Sequence, residues 1–361
     1  MVKKADAQLD SSGGGLTLRH FLATPSYGWE HEDGSLYVPS AGELAREYLL
    51  RVNVLRTRKN WVAFFSWFVA LLLAIPLGVF FAFYFSWPLL AAGFVYGMVV
   101  LGTHGTFYLH RYSTHRAFRF KNRAWLFVAK NLVLRIVPEE LYVVSHHVHH
   151  KHCEQPGDPY NAHAGWLYCF LADANHQPIA RDLSAHEYGR VSKLVDHCGF
   201  RLNTYAQYQR WGSLSHPLRV ASSTALNWAF WYAAFWAMGG HALAVALFGS
   251  ACVWAVGVRT FNYAGHGGGV DRRSKSDFNR RDLSVNQLWP GFVAGEWHNN
   301  HHLYPSSARS GFLPYQLDLA WWLMRSFHGL GGIASFRDSK AAFMRDHYSM
   351  RANAVAQEDC R

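Results

Sequence analysis

The sequence predicts an all-α integral membrane protein, with four transmembrane helices in two hairpins and a cytoplasmic helical cap. Two long blocks, residues 61–109 and 220–258, contain no Asp, Glu, Lys or Arg. A transmembrane helix takes about 20 apolar residues, so each block is long enough for two crossings. Half of the 361 residues are hydrophobic and 16% are charged, whereas soluble domains average roughly 25% charged residues.

Turn residues divide each block near its middle. Ser86–Pro88 interrupts the first block and Gly239–Gly240 the second, which gives helices over about 61–85, 88–109 and on either side of the glycine pair. The chain is predicted to begin with a cytoplasmic segment, 1–60, which contains an amphipathic helix near Glu43–Leu55. A first hairpin, 61–109, is followed by a cytoplasmic section, 110–219. A second hairpin, 220–260, is followed by a second cytoplasmic section, 261–361.

Basic residues predict the orientation of both hairpins. Arg56, Arg58 and Lys59 lie directly before the first block, and neither dividing loop contains a basic residue. Because cytoplasmic flanks are enriched in Lys and Arg, both turns are predicted to face away from the cytoplasm and both termini to be cytoplasmic. The formal charge of +11 is therefore interpreted as membrane topology, with no nucleic-acid partner expected.

Histidine is concentrated in Ser145–His152, which reads SHHVHHKH. Several adjacent imidazoles are costly to bury and cannot all be protonated, whereas a metal ion accommodates them as neutral ligands. His146, His149 and His150 stand at i, i+3 and i+4, so on a helix they share one face. This tract taken by itself leaves open a lone zinc site or a surface metal-binding tract.

Two more clusters and one outlying histidine extend the pattern. HRYSTH places two histidines five residues apart, about 140° around an ideal helix, so they meet only where the helix bends or ends. HNNHH repeats the i, i+3, i+4 spacing, and one further histidine lies four residues after Asn262. The nine candidate ligands are His110, His115, His146, His149, His150, His266, His298, His301 and His302. One metal takes four to six ligands, so nine indicate two ions.

The boxes HRYSTH, HHVHH and HNNHH resemble the HxxxxH, HxxHH and HxxHH motifs of the membrane fatty acid desaturases. The branch with acyl-CoA Δ9 and cyanobacterial acyl-lipid desaturases is the most similar. Asn262–His266 resembles its NxxxH element, and Gly295–Phe312 its extended third box. The resemblance covers about Trp61 to Leu323. It implies two iron ions held by the nine histidines, O2 as oxidant, and Asn262 and Glu296 in supporting positions around the metals.

Two positions depart from the branch pattern. Gly295–Glu296–Trp297 is one residue shorter than the usual segment before the third box, and His147 stands where arginine is common. Neither change removes a candidate ligand, but both lie in regions that are close to the substrate head group in the family. The substrate is therefore left open as a free fatty acid, a thioester or a lipid ester.

The resemblance implies an O2-dependent di-iron desaturase that introduces a double bond into a fatty acyl chain. Relatives with the same ligands leave open a fatty acid decarboxylase that forms a terminal alkene, an acetylenase or a hydroxylase. Two alternatives come from other classes. A zinc hydrolase is disfavoured because no HExxH motif occurs. A metal-binding or transport protein without catalysis would be expected to have metal ligands inside the membrane helices, but His104 and His241 are the only histidines in the uncharged blocks. Electrons are expected from a separate partner such as ferredoxin, rubredoxin or cytochrome b5, because no cysteine pattern for an iron–sulfur cluster is present.

Overall fold

The computed structural model describes residues 18–175, 178–266, 268 and 297–348. Helices dominate this part of the chain, with 3₁₀ turns at Leu18–Phe21, Arg58–Asn60, Ala162–Ala164 and Val258–Thr260. The helices are α1 Ala41–Val52, α2 Trp61–Val79, α3 Trp87–Val100, α4 Arg123–Lys130, α5 Glu139–His152, α6 Trp166–Phe170, α7 Ala172–Asn175, α8 Ala185–Val195, α9 Tyr205–Trp211, α10 Pro217–Gly257, α11 Phe261–Gly265, α12 His298–Leu303, α13 Leu319–Gly329 and α14 Lys340–Phe343. Helical stretches of π type follow α2, α3 and α14, at Phe80–Tyr84, Leu101–Thr114 and Met344–Tyr348.

Within the described residues, three helical stretches are long and apolar enough to cross a membrane: Arg58–Tyr84, Trp87–Thr114 and Pro217–Gly265. The first two meet at the predicted turn, where Ser86 caps α3 by accepting a hydrogen bond from the Leu89 amide at 3.4 Å. The second stretch runs five residues past the predicted end at Leu109 because the helix continues in π form.

The third stretch reverses direction at the predicted glycine pair. Gly239 and Gly240 have non-helical backbone angles, with φ of +70° at Gly240. The ring centroids of Trp228 and Phe248 are 6.0 Å apart, and those of Tyr232 and Phe248 are 5.5 Å apart. Twenty residues of straight helix would separate such rings by about 30 Å. The structure therefore contains two antiparallel arms, packed through aromatic side chains.

Replacing Gly240 with alanine is expected to destabilise this reversal. Its φ of +70° and ψ of −169° belong to a region that essentially only glycine adopts, at a cost of about 1–3 kcal/mol for other residues. Gly78→Ala is the matched control, because this glycine lies inside α2 with open space where the Cβ would stand. It should be neutral or stabilising by up to about 1 kcal/mol. In thermal unfolding in detergent, Gly240→Ala should have a lower midpoint than Gly78→Ala. Equal midpoints would contradict the requirement for glycine at the reversal.

Two expectations about local structure need correction. The all-α prediction misses a small antiparallel pair, β1 Phe118–Phe120 with β2 Ile333–Phe336, because strands of three and four residues carry too little alternation to be recognised. The amphipathic helix predicted near Glu43–Leu55 is α1. It begins two residues earlier, because Ser40 and Glu43 form a capping box there, and it ends at Val52.

The β pair ties the chain after HRYSTH to the chain after the third box. Phe118 pairs with Phe336, and beneath the strands Phe107 packs against Phe327 with ring centroids 5.2 Å apart. These residues belong to one buried apolar cluster that also includes Met324. This apolar cluster holds the end of the second long helix against the segment that follows the third box.

Candidate metal centre

The π form of the second long helix brings the two histidines of the first box together. In a π-helix the backbone hydrogen bonds join residues five apart, and the amide of His115 donates to the carbonyl of His110 at 3.1 Å. Their ring centroids are 4.9 Å apart. The five-residue spacing, which an α-helix would place about 140° apart, is thus accommodated by a change of helix type.

The second and third boxes lie on α5 and α12, as the i, i+3, i+4 spacing predicts. On α5, His146, His149 and His150 point toward the first box and α12. Ring centroids of His110 and His146 are 4.6 Å apart, and those of His149 and His302 are 5.2 Å apart. Helical periodicity therefore presents one histidine face of each helix to the same interior point.

One cluster comprises five histidines, each offering one nitrogen within 4.8 Å of the others: His110, His115, His146, His150 and His301. Its centre is His301, whose Nε2 lies 3.0 Å from Nε2 of His110 and 3.0 Å from Nε2 of His150. The Nε2 atoms of His146 and His150 are 3.2 Å apart. Nitrogens bound at about 2.1 Å to one ion at right angles would be about 3 Å apart, so the cluster fits a metal.

A second cluster lies beside the first and comprises His149, Cys153, His266 and His302. His298 adjoins it, with its Nε2 atom 2.9 Å from Nε2 of His266. The thiol of Cys153 is 3.9 Å from Nδ1 of His266, on the side of the ring that Glu154 also approaches at 3.2 Å. Cys153 therefore contacts the edge of His266 opposite His298, and sequence analysis had assigned it no role.

The donor set suits metal ions because burial disfavours protonation of five of its imidazoles. Burial, followed by the neighbouring imidazoles, keeps the pKa of five histidines well below the ordinary value: His115, His146, His150, His301 and His302. Nε2 of His115, His149 and His302 is buried without a hydrogen-bond partner in the part of the chain that the structure describes. Buried nitrogens of this kind are costly unless something binds them, and a metal would do so.

Two carboxylates that the sequence analysis did not identify hold histidine rings of the second cluster. Asp158 Oδ1 lies 2.8 Å from Nδ1 of His149, and both side chains are fully buried. The Glu154 carboxylate approaches Nδ1 of His266. A carboxylate on one ring nitrogen fixes the ring and directs the other nitrogen to a metal. Both residues lie beyond the end of α5 at His152, so the helical spacing of the second box gave no signal for them.

Replacing Asp158 with asparagine is expected to weaken metal binding at the second cluster. The variant loses the negative charge that orients the His149 ring, and such changes typically cost about 10–100-fold in metal affinity. Metal content after graded chelation, measured on purified protein, would report the effect. Asp33→Asn is the control, because Asp33 is exposed and accepts a hydrogen bond only from its neighbour Ser35 among the contacts described. Equal metal retention in both variants would contradict the role of Asp158.

An inner cavity of about 90 Å³ reaches the histidine clusters. His110, His146 and His298 line it, together with Asn262. The remaining wall is mainly apolar and comes from the second long helix, α5, the segment around α6 and α7, and the end of α10. The wall of this cavity therefore combines candidate ligand histidines with Asn262.

The structure thus brings all nine predicted histidines into one buried region, and it places Asn262 on the wall of the cavity that reaches them. Glu296, predicted to support the centre, lies outside the described residues. The assignment of the histidines as ligands stays a prediction that the geometry supports. Asp158, Glu154 and Cys153 are the additions that the tertiary structure makes.

The described residues thus combine helices that are long and apolar enough to cross a membrane with two histidine clusters that could hold metal ions. A model of the fatty acid desaturase family matches residues 85–336. The chain therefore belongs to the fatty acid desaturase family, which the histidine boxes predicted, and is an oxidoreductase of lipid metabolism.

Curated relatives support the same family. The chloroplastic palmitoyl-monogalactosyldiacylglycerol delta-7 desaturase of Arabidopsis thaliana is 28% identical over 288 residues, which cover 76% of this chain and 69% of the relative. Delta-9 acyl-lipid desaturase 2 of the same plant is 28% identical over 268 residues, with 69% and 75% coverage. The icosanoyl-CoA 5-desaturase of Limnanthes douglasii is 26% identical over 268 residues, with 73% and 69% coverage.

Proposed function

We propose that the protein is an O2-dependent di-iron desaturase that introduces a double bond into a fatty acyl chain. The observation that carries this proposal is the pair of adjacent histidine clusters opening onto the inner cavity. Family membership supports the desaturase class. The nine histidines would hold the two irons, and Asn262 would support the centre from the cavity wall.

The proposed ions would supply oxidation by O2, which side-chain acids and bases cannot provide for an unactivated alkyl chain. The protein's own residues would position the substrate and exclude water. The wall of the inner cavity includes Leu101, Leu109 and Phe170, so an alkyl chain there would be surrounded mainly by apolar atoms. Holding two neighbouring carbons beside the centre is the contribution that such a wall can make.

A larger apolar cavity of about 510 Å³ provides room for the acyl chain. It shares four wall residues with the inner cavity, namely Leu101, Trp254, Val258 and Phe261. Its wall extends along α3 from Leu89 to Leu101, about 18 Å of helix. We infer that the methyl end of the chain lies between the apolar helices while carbons nearer the head group contact the centre.

We further propose that the three apolar stretches make four membrane crossings. The reversal at Gly239–Gly240 divides Pro217–Gly265 into two arms, each near the length of one crossing. Basic residues flank the outer ends of the hairpins, so the histidine clusters and both termini would be cytoplasmic. A cytoplasmic centre would be accessible to an electron carrier such as ferredoxin, rubredoxin or cytochrome b5.

Gas chromatography of lipids and headspace from a host that expresses the protein tests the reaction. The proposal expects an internal double bond that a strain with an empty vector lacks. Hydrolysing the extract in separate free-acid, thioester and lipid-ester fractions would identify the carrier. A volatile alkene one carbon shorter than its parent acid, or a hydroxylated chain, would reject desaturation in favour of a related oxidation.

A further inference from the structure

Arg259 is a buried cation at the junction of the apolar helices and the inner cavity. It lies in the turn between α10 and α11, and its side chain is 9% exposed. Nη1 donates to Asp173, and the guanidinium carbon lies 4.2 Å from the centroid of the Trp67 ring. A charge at this depth is costly, so ionisable residues in apolar spans commonly serve a function.

The surroundings of Asp173 fix the orientation of that guanidinium. Besides Arg259, the carboxylate accepts hydrogen bonds from Ser66 Oγ at 2.7 Å and from Trp67 Nε1 at 3.0 Å. Trp67 thus supports the pair twice, once through its N–H and once through its ring face. Asp173 therefore accepts from Nη1, and Ser66 Oγ accepts from Nη2 at 3.5 Å, so that Nε is the guanidinium nitrogen without a described partner.

Nε of Arg259 is the available donor. It is buried and has no hydrogen-bond partner in the described part of the chain. Buried donors of this kind are rare in folded proteins and call for an explanation, such as a ligand. Arg135 and Arg181 also have a buried Nε of this kind, but neither residue lines either described cavity.

The ion pair of Arg259 and Asp173 lies on the wall of the inner cavity. Arg259 and Asp173 line the inner cavity with His110, His146 and His298, and among the described lining residues Arg259 is the only Lys or Arg. The adjoining apolar cavity accepts a hydrocarbon tail but offers no such donor from a Lys or Arg in its described wall. A fatty acyl chain that spans both cavities would present its one polar end to Arg259.

We propose that Arg259 binds a carboxyl oxygen of the fatty acyl substrate through Nε and so determines how far the chain advances past the histidine clusters. This inference rests on the proposed function, because it takes the substrate to be an acyl chain. The oxygen belongs either to a free carboxylate or to an ester carbonyl. Asp173, Ser66 and Trp67 are positioning residues that hold the guanidinium in place.

Equilibrium binding to metal-free protein in nanodiscs tests the proposal without turnover. The probes are radiolabelled dodecanoic acid, its methyl ester and dodecyl methyl ether, which lacks the carbonyl, with empty nanodiscs as background. Wild-type protein should bind the acid or the ester about tenfold more tightly than the ether. A preference for the acid identifies a free carboxylate, and a preference for the ester identifies a carbonyl.

Arg259→Lys should abolish this preference, because lysine keeps a charge for Asp173 but has no Nε donor. Arg135→Lys is the matched control, since Arg135 is equally buried and pairs with Glu139 at 3.0 Å; its preference should equal that of wild type. A second variant, Arg259→Met with Asp173→Asn, removes both charges, so that no unpaired carboxylate is left buried, and should also lose the preference.

Preserved preference in both Arg259 variants, or no preference in wild type, would overturn the proposal and leave the Arg259–Asp173 pair a purely structural feature. The desaturase proposal fails separately. Absence of an oxidised product from the expressing host would reject that function while the binding result stands, because the binding assay needs neither metal nor electrons.

Discussion

Replacing Asp318 with alanine is expected to lower the free energy of unfolding by about 3–5 kcal/mol, the usual cost of breaking a buried ion pair. Asp318 accepts from Arg111 Nη2 at 2.9 Å, and both side chains are at most 2% exposed. The same carboxylate accepts from the amides of Ser310 and Trp321, each at 2.8 Å. Removing it leaves a buried guanidinium and two buried amides with fewer acceptors.

The pair also positions the first cluster. Arg111 directly follows His110, and its Nη1 donates to the carbonyl of Ala308 at 2.8 Å, beyond the third box. Loss of Asp318 should therefore loosen the approach of His110 to His301 and lower metal content as well as stability.

Thermal unfolding and metal analysis of purified protein would measure both effects of Asp318→Ala. The control is Asp196→Asn, which breaks an exposed pair with Arg116 whose side chains are 50% and 55% exposed. Exposed pairs contribute about 0–1 kcal/mol, so this variant should behave like wild type. Equal unfolding midpoints for the two variants would show that the buried pair is not a structural tie between the boxes.

His301→Ala is expected to abolish activity and to lower bound iron. His301 is the centre of the first cluster, with Nε2 atoms of His110 and His150 both 3.0 Å from its own. Truncation removes one nitrogen and leaves a space between the two neighbours. Iron per chain and product formation should be measured on the same preparation.

The control for His301→Ala is His163→Ala, which changes an exposed histidine outside both clusters. It should keep wild-type iron content and turnover. Because the cluster is buried, a melting curve for His301→Ala is needed to distinguish loss of metal from unfolding. The expected outcome is a protein that is folded, depleted of iron and inactive. Full iron and full turnover in that folded variant would remove the basis for the di-metal proposal.

The candidate ligands were predictable because their information is local. On α5, three histidines at i, i+3 and i+4 share one helix face whatever surrounds the helix, and α12 repeats the arrangement. The uncharged blocks predicted apolar helices of membrane-crossing length for a similarly local reason, because about 20 consecutive apolar residues in a helix match the thickness of the hydrocarbon core of a bilayer. The same local logic found the glycine pair at which the third stretch reverses.

The supporting residues were not predictable, because they act across long separations in the chain. Arg111 and Asp318 are 207 residues apart in the chain, and they meet because the two segments pack against each other through the apolar cluster at the β pair. Asp158 approaches His149 around a turn of irregular spacing. The π form that joins His110 to His115 also depends on context, because isolated sequence favours the α form and π stretches are rare.

Composition and short-range periodicity were enough to predict the long apolar helices, the three histidine boxes and the family. The division of nine histidines between two clusters, the carboxylates that orient them and the place of Arg259 on the wall of the inner cavity became visible only in the folded chain. The physical reason is the range of the interactions. Backbone hydrogen bonding and helix periodicity act over a few residues, whereas burial and cavity formation depend on segments that pack from distant parts of the chain.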